Sequence, residues 1–115
     1  WFENGTVGPW TGEISHESMG SHFGDLDKTG TKETEWISGC AMFFHKSLIE
    51  DVGLLDESYF IRVSDVEYSL RARSEGYRLI VDHSSIIHHK ESASAGKFGL
   101  SYYTARNRWI LISNS

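Results

Sequence analysis

Cysteine, proline and long runs of any one character are nearly absent from this chain of 115 residues. Its one cysteine, Cys40, excludes an intrachain disulfide and fits a reducing compartment. No apolar run approaches the roughly 20 residues needed to span a bilayer, and no signal peptide is visible. The 11 Lys and Arg are scattered, with no basic run longer than two, and the formal charge is −5. That balance argues against a partner made of nucleic acid, although a local pocket for one phosphate stays open. His16, His22, His45 and His83 show no zinc-like spacing with Cys40, which reads as a small buried hydrophobe. There is no internal repeat and no low-complexity tract. The chain opens on Trp1 rather than Met, which suggests a fragment, a processed product or a trimmed form.

What is present is enough for one domain with a real core: 39% hydrophobic and 13% aromatic residues. Residues 1 to about 34 are rich in Gly, Ser, Thr and Asp and hold Pro9, so they read as loop with short strands at most. Trp1, Phe2 and Trp10 could pin this segment to a core. Glu35 to His45, EWISGCAMFFH, reads as a buried strand. Gly39 inside it marks a bulge or a close approach of backbone. Ser47-Leu-Ile-Glu50 has capping-box spacing and Gly53 supplies a stop, so a short helix lies between. Ser64-Asp-Val-Glu67 is a second capping box, with helix to about Glu75, Gly76 just beyond it, and a narrow apolar stripe of Val66, Leu70 and Tyr77. Tyr77 to Asp82 and Ser85 to His88 read as strands, Glu91 to Gly99 as a loop of small residues, and Leu100 to Ile112 as an amphipathic helix.

The chemistry concentrates between Gly53 and Arg71. Asp56-Glu57 and Asp65/Glu67 flank an aromatic stretch. Asp65 falls at a helix start, where a carboxylate either complements the helix dipole or is held on a rigid element for use as a base. Glu67 can reach back to the Ser64 backbone N–H as the partner in the capping box. Asp56 and Glu57 could bind hydroxyls or orient the loop, and Asp56 could equally cap the turn after Leu55. Arg71 suits a carboxylate partner, and Arg106-Asn107 could contact a diphosphate or anchor the last helix. Trp36, Tyr59, Phe60 and Tyr102 could stack on sugar rings or belong to the core.

One ordered set of motifs binds these pieces together. It runs Trp36-Ile-Ser-Gly39-Cys-Ala-Met42, Gly53-Leu-Leu-Asp56-Glu57-x-x-Phe60, Asp65-x-Glu67-x-x-x-Arg71, Gly76-Tyr77-Arg78, His89-Lys90 with Ser92 and Ser94, and Tyr103-x-x-Arg106-Asn107. Over residues 35 to 108 the order and spacing resemble the C-terminal half of a family 2 glycosyltransferase with the GT-A fold, especially the rhamnosyltransferase-like branch. Two departures stand out. Ser64 replaces the first acid of the usual Glu-Asp-x-Asp, and the donor-binding βαβ half with its D-x-D motif is not in this stretch. Asp25-Leu-Asp27 spells D-x-D but lies in a Gly-rich loop rather than at a strand end.

The resemblance implies an α/β fold of Rossmann-like type, a mixed sheet with flanking helices, forming the acceptor-side part of the domain. It implies an inverting transfer from a nucleotide-sugar donor to a glycan or lipid-linked acceptor. Asp65 matches the base. Asp56, Glu57 and Trp36 fall on the acceptor side. His89, Lys90 and Arg106 fall on the donor diphosphate, and His89 is also a ligand of a divalent cation, Mg²⁺ or Mn²⁺. The stretch from Lys90 to Gly99 could close over the donor. A cytoplasmic protein is implied, with peripheral attachment to the inner face of the membrane as the variant, and self-association where the other half would pack. Without most of a donor site, the piece should be inactive by itself. The rival readings are a non-catalytic carbohydrate-binding module and a structural or oligomerisation domain.

Overall fold

The structure, a computed structural model, describes residues 4–17, 24, 29–88 and 100–114. These form a small α/β domain with two separate two-stranded antiparallel sheets and three α-helices. The elements are β1 (Gly5–Val7), β2 (Ile14–His16), β3 (Thr31–Glu33), α1 (Lys46–Val52), a 3-10 turn (Glu57–Tyr59), α2 (Ser64–Ser74), β4 (Ile80–Asp82) and α3 (Leu100–Ser113). The mixed sheet expected from the resemblance is not formed among the described residues. A mixed sheet needs parallel neighbours joined by long crossovers, and both pairs here are antiparallel.

β1 and β2 pair with Gly5 opposite His16 and Val7 opposite Ile14. Their connection closes through Gly8 N–H to Glu13 O at 2.8 Å and Gly12 N–H to Gly8 O at 2.9 Å. The chain after β3 then runs back along this hairpin. Thr34, nearly buried, accepts Gly5 N–H at 2.8 Å through its hydroxyl, and the Glu35 carboxylate accepts Val7 N–H at 2.7 Å. Gly5 must be glycine because a Cβ there would overlap the Trp36 indole.

Residues 35–45 are not the strand their composition suggests. Trp36 is buried and Ile37 half-buried, but Phe43 is 92% exposed and no strand forms. The Ile37 N–H is satisfied by the Ser69 hydroxyl of α2 at 3.1 Å, and Gly39 N–H by Asp65, so α2 replaces a partner strand. Residues 85–88 likewise form no strand. The Asp82 carboxylate accepts from Ser84 N–H at 2.9 Å and from the Ser84 and Ser85 hydroxyls, which turns the chain at the end of β4.

Two cores lie on the two faces of α2. One gathers Trp36, Tyr59, Val63, Val66 and Leu111, with Val7, Ile14, Leu70 and Ile110 against it. The other gathers Leu48, Tyr68, Ala72 and Leu79, with Ile37, Met42, Val52 and Tyr77 against it. The apolar surface of α2 is therefore broader than the single stripe that its sequence suggests. α3 adds Leu111 and Asn107 as buried residues, four apart on one face. It also docks on the hairpin, where Arg108 Nε donates to Gly12 O at 2.9 Å. No helix among the described residues is long and apolar enough to cross a membrane.

Candidate functional site

Asp65 stands in the first turn of α2, half-buried, with both carboxylate oxygens engaged. Oδ2 accepts Gly39 N–H at 2.9 Å and Oδ1 accepts Val66 N–H at 3.0 Å. Gly39 thus marks the close backbone approach expected of it, and a Cβ there would meet Asp65 Cβ at 3.4 Å. Each oxygen keeps a second lone pair, so the group is oriented without being used up as an acceptor.

The backbone leading to Asp65 is unusual. Phe60, Arg62 and Val63 all have positive φ, at 37°, 68° and 68°. None is glycine, and Val63 is β-branched, for which the left-handed region is a true outlier. Each such residue costs about 1–2 kcal/mol, so three in four positions persist only because the surroundings enforce them. Val63 occupies the N-cap position with no side-chain cap. The expected capping box at Ser64 is therefore not formed, since Ser64 lies inside the helix. Glu67 does not turn back to Ser64. It receives a two-pronged bond from Arg71, Nε to Oε1 at 2.8 Å and Nη2 to Oε2 at 3.1 Å. This pairing, one turn along the helix, raises the Arg71 pKa. Arg71 also donates to Val52 O at 2.6 Å and Leu54 O at 2.9 Å, tying α2 to the chain that leaves α1.

Asp56 and Glu57 sit together at the 3-10 turn. With Leu55, Phe60 and Ser64 they line an open hollow beside the start of α2. Asp56 caps the turn by accepting Ser58 N–H at 2.9 Å. That bond, with help from the Ser58 side chain, lowers its pKa. The sequence-level alternative of a capping role for Asp56 is thus realised, and its place in the hollow leaves a second role open.

The four aromatic candidates separate. Tyr59 is 1% exposed and Trp36 7%, so both are core. Burial pushes the Tyr59 phenol pKa up, with the Glu67 and Asp56 carboxylates adding to it. Trp36 donates its indole N–H to Ser15 O at 3.2 Å and is not among the residues that line the hollow. Phe60 and Tyr102 are 71% and 66% exposed. They are linked through Tyr103, whose ring centroid lies 5.5 Å from that of Phe60 and 5.4 Å from that of Tyr102. This aromatic row beside two carboxylates suits the apolar faces and hydroxyls of a carbohydrate. Tyr103 was not expected among the ring-stacking aromatics, and only its place between Phe60 and Tyr102 reveals it.

Arg106 donates through Nη1 to Ser58 O at 2.9 Å and to Asn107 Oδ1 at 2.7 Å. The first of these bonds ties α3 to the 3-10 turn. His89 and Lys90, and the stretch expected to close over a donor, lie outside the described residues. Among the described residues no group of three or more His, Cys, Asp or Glu could hold a metal ion.

The chain is similar to two curated proteins, each an N-acetylglucosaminyl-diphospho-decaprenol L-rhamnosyltransferase of Mycobacterium tuberculosis, from strains CDC 1551 / Oshkosh and ATCC 25618 / H37Rv. Identity with each is 26% over 101 residues, covering 87% of this chain. The likeness relates the chain to glycosyltransferases. The chain spans 30% of the length of these relatives. No family model matches it, and no solved structure does.

Proposed function

We propose that this chain is the acceptor-side part of a GT-A glycosyltransferase of family 2 that moves a sugar from a nucleotide-sugar to a glycan or lipid-linked acceptor with inversion. The observation that carries this reading is the Asp65 carboxylate, held by Gly39 and Val66 at a helix start next to a hollow rimmed by Asp56, Glu57 and exposed Phe60. The similarity to rhamnosyltransferases supports it. In the reaction, Asp65 takes the proton of the acceptor hydroxyl as its oxygen bonds to the anomeric carbon. The bond to the donor diphosphate breaks on the opposite face, and its electron pair leaves with the diphosphate. Asp56, Glu57 and the aromatic row hold and orient the acceptor. A divalent cation, Mg²⁺ or Mn²⁺, would neutralise the leaving diphosphate when bound.

Asp65→Asn in the full-length protein tests the assignment. Transfer should fall about 10²- to 10⁴-fold with the fold kept: Asn can still accept from Gly39 through its one carbonyl oxygen, and losing the Val66 bond should cost only about 1 kcal/mol. Transfer at the wild-type rate would remove Asp65 as the base. A second reading, a carbohydrate-binding module, draws on the exposed Phe60 and Tyr102. It predicts sugar affinity with no donor turnover, and titration of sugars against assays with nucleotide-sugars separates the two.

A further inference from the structure

The left-handed approach to α2 is made by a residue far along the chain. Asn107, in α3, is 0% exposed. Its side-chain Nδ2 lies 2.8 Å from each of Tyr59 O, Ile61 O and Arg62 O, across 45 to 48 residues of sequence, and its two N–H groups are shared among the three, one of them bifurcated. Its Oδ1 accepts from Arg106 Nη1. That bond fixes which way the amide faces, because the guanidinium can only donate and the three carbonyls can only accept. Three carbonyls converging on one amide require the backbone between them to curl. The curl is the run containing Phe60, Arg62 and Val63 at positive φ. Val63 O then accepts Glu67 N–H at 2.9 Å and starts α2, with Asp65 in its first turn.

We propose that Asn107 is a positioning residue: its amide holds the curled segment 59–63 and so sets where α2 begins and where Asp65 stands. The inference rests on the reading of Asp65 as the base, and adds to it that α3 belongs to the machinery of the reaction without touching the reacting atoms. A side chain that only filled space at this point would be apolar, since a buried amide is tolerated only when its bonds are made.

The test is Asn107→Asp in the full-length protein. The variant keeps the shape and the acceptor for Arg106 but removes the donor, and sets a carboxylate against three carbonyls. The expected result is a kcat lowered at least about tenfold, since a misplacement near 1 Å at a reacting group can cost about a hundredfold, with a smaller rise in KM for the acceptor, because Phe60 lies in the same segment. Hydrogen exchange should quicken in residues 59–67 and stay near wild type in α1 and in 68–74. A folded variant with unchanged kcat, or faster exchange spread evenly over the helices, would overturn the proposal. Should Asn107→Asp not fold, Asn107→Ser keeps one donor and is judged by the same two measurements. If the wild-type protein transfers no sugar, the transferase reading fails, and the exchange pattern alone then decides whether Asn107 holds the segment.

Discussion

The two ends of α2 are built by different means. At the C-terminal end everything is local. Gly76 sits at φ 88°, Gly76 N–H bonds Arg73 O at 3.0 Å, Tyr77 N–H bonds Ala72 O at 3.1 Å, and Tyr77 packs back toward Ala72. This is a Schellman motif, in which glycine takes the left-handed position at no steric cost. At the N-terminal end the left-handed positions fall on Arg62 and Val63, there is no side-chain cap, and the bonds that hold the curl come from α3. One end stops a helix with the cheapest residue available. The other aims a helix with residues that resist the conformation, and the candidate base stands there. Strain that persists against preference points to a requirement other than stability.

That contrast can be broken most forcefully from beneath the strained end. Tyr59 is 1% exposed and its carbonyl is one of the three held by Asn107. Tyr59→Ala should destabilise the chain by about 3–5 kcal/mol, the usual range for losing a buried aromatic ring. Urea unfolding measures it. A loss under about 1 kcal/mol would mean that the strained end is not packed as described.

A smaller pair of substitutions tests the contrast by sign. Gly76→Ala puts a Cβ on a residue at positive φ and should cost about 1 kcal/mol. Arg62→Gly removes a Cβ from one and should add up to about 1 kcal/mol, because Arg62 is exposed and loses little packing. Opposite shifts in the urea midpoint, with the slope unchanged, are expected. Two shifts of the same sign would show that the two left-handed positions are not equivalent in strain.

The locally built parts were legible in the sequence. Gly53 and Gly76 end the two helices as expected, and all three helices fall within about a residue of the stretches expected for them. His45 rather than Ser47 turned out to cap α1, its Nδ1 accepting Ser47 N–H at 3.2 Å. What failed was what depends on distant partners. The segment 35–45 has a strand's composition, but its N–H groups at Ile37 and Gly39 bond to side chains of α2. Ser64-x-x-Glu67 has a capping box's spacing, but the left-handed Val63 moves the cap position and Arg71 captures the glutamate. In the candidate site, the Asp56–Glu57 grouping and the place of Asp65 on α2 were visible as short motifs. The clamp of Asn107 was not, because an asparagine in an amphipathic helix carries no sign that three carbonyls 45 to 48 residues earlier will converge on it.

The smallest expected effect concerns Asp56, where the site meets solvent. Its pKa is lowered from the usual value of 3.8, mainly by the Ser58 N–H. A carboxylate with a depressed folded-state pKa adds stability that is fully present above its unfolded value and is lost as pH falls through the folded one. Asp56→Asn keeps an acceptor for Ser58 N–H but removes the titration. The stability difference between wild type and Asp56→Asn should therefore be flat from pH 7 down to about 4 and shrink below the usual carboxylate value. The other lowered carboxylates, Glu17 and Asp82, are common to both proteins and cancel in the difference. Urea midpoints between pH 2.5 and 7 would show it. A difference that does not change with pH would mean that the Ser58 bond does not hold the charge. The turn carrying Asp56 and Glu57 would then depend on α3 alone, through Arg106 and Asn107.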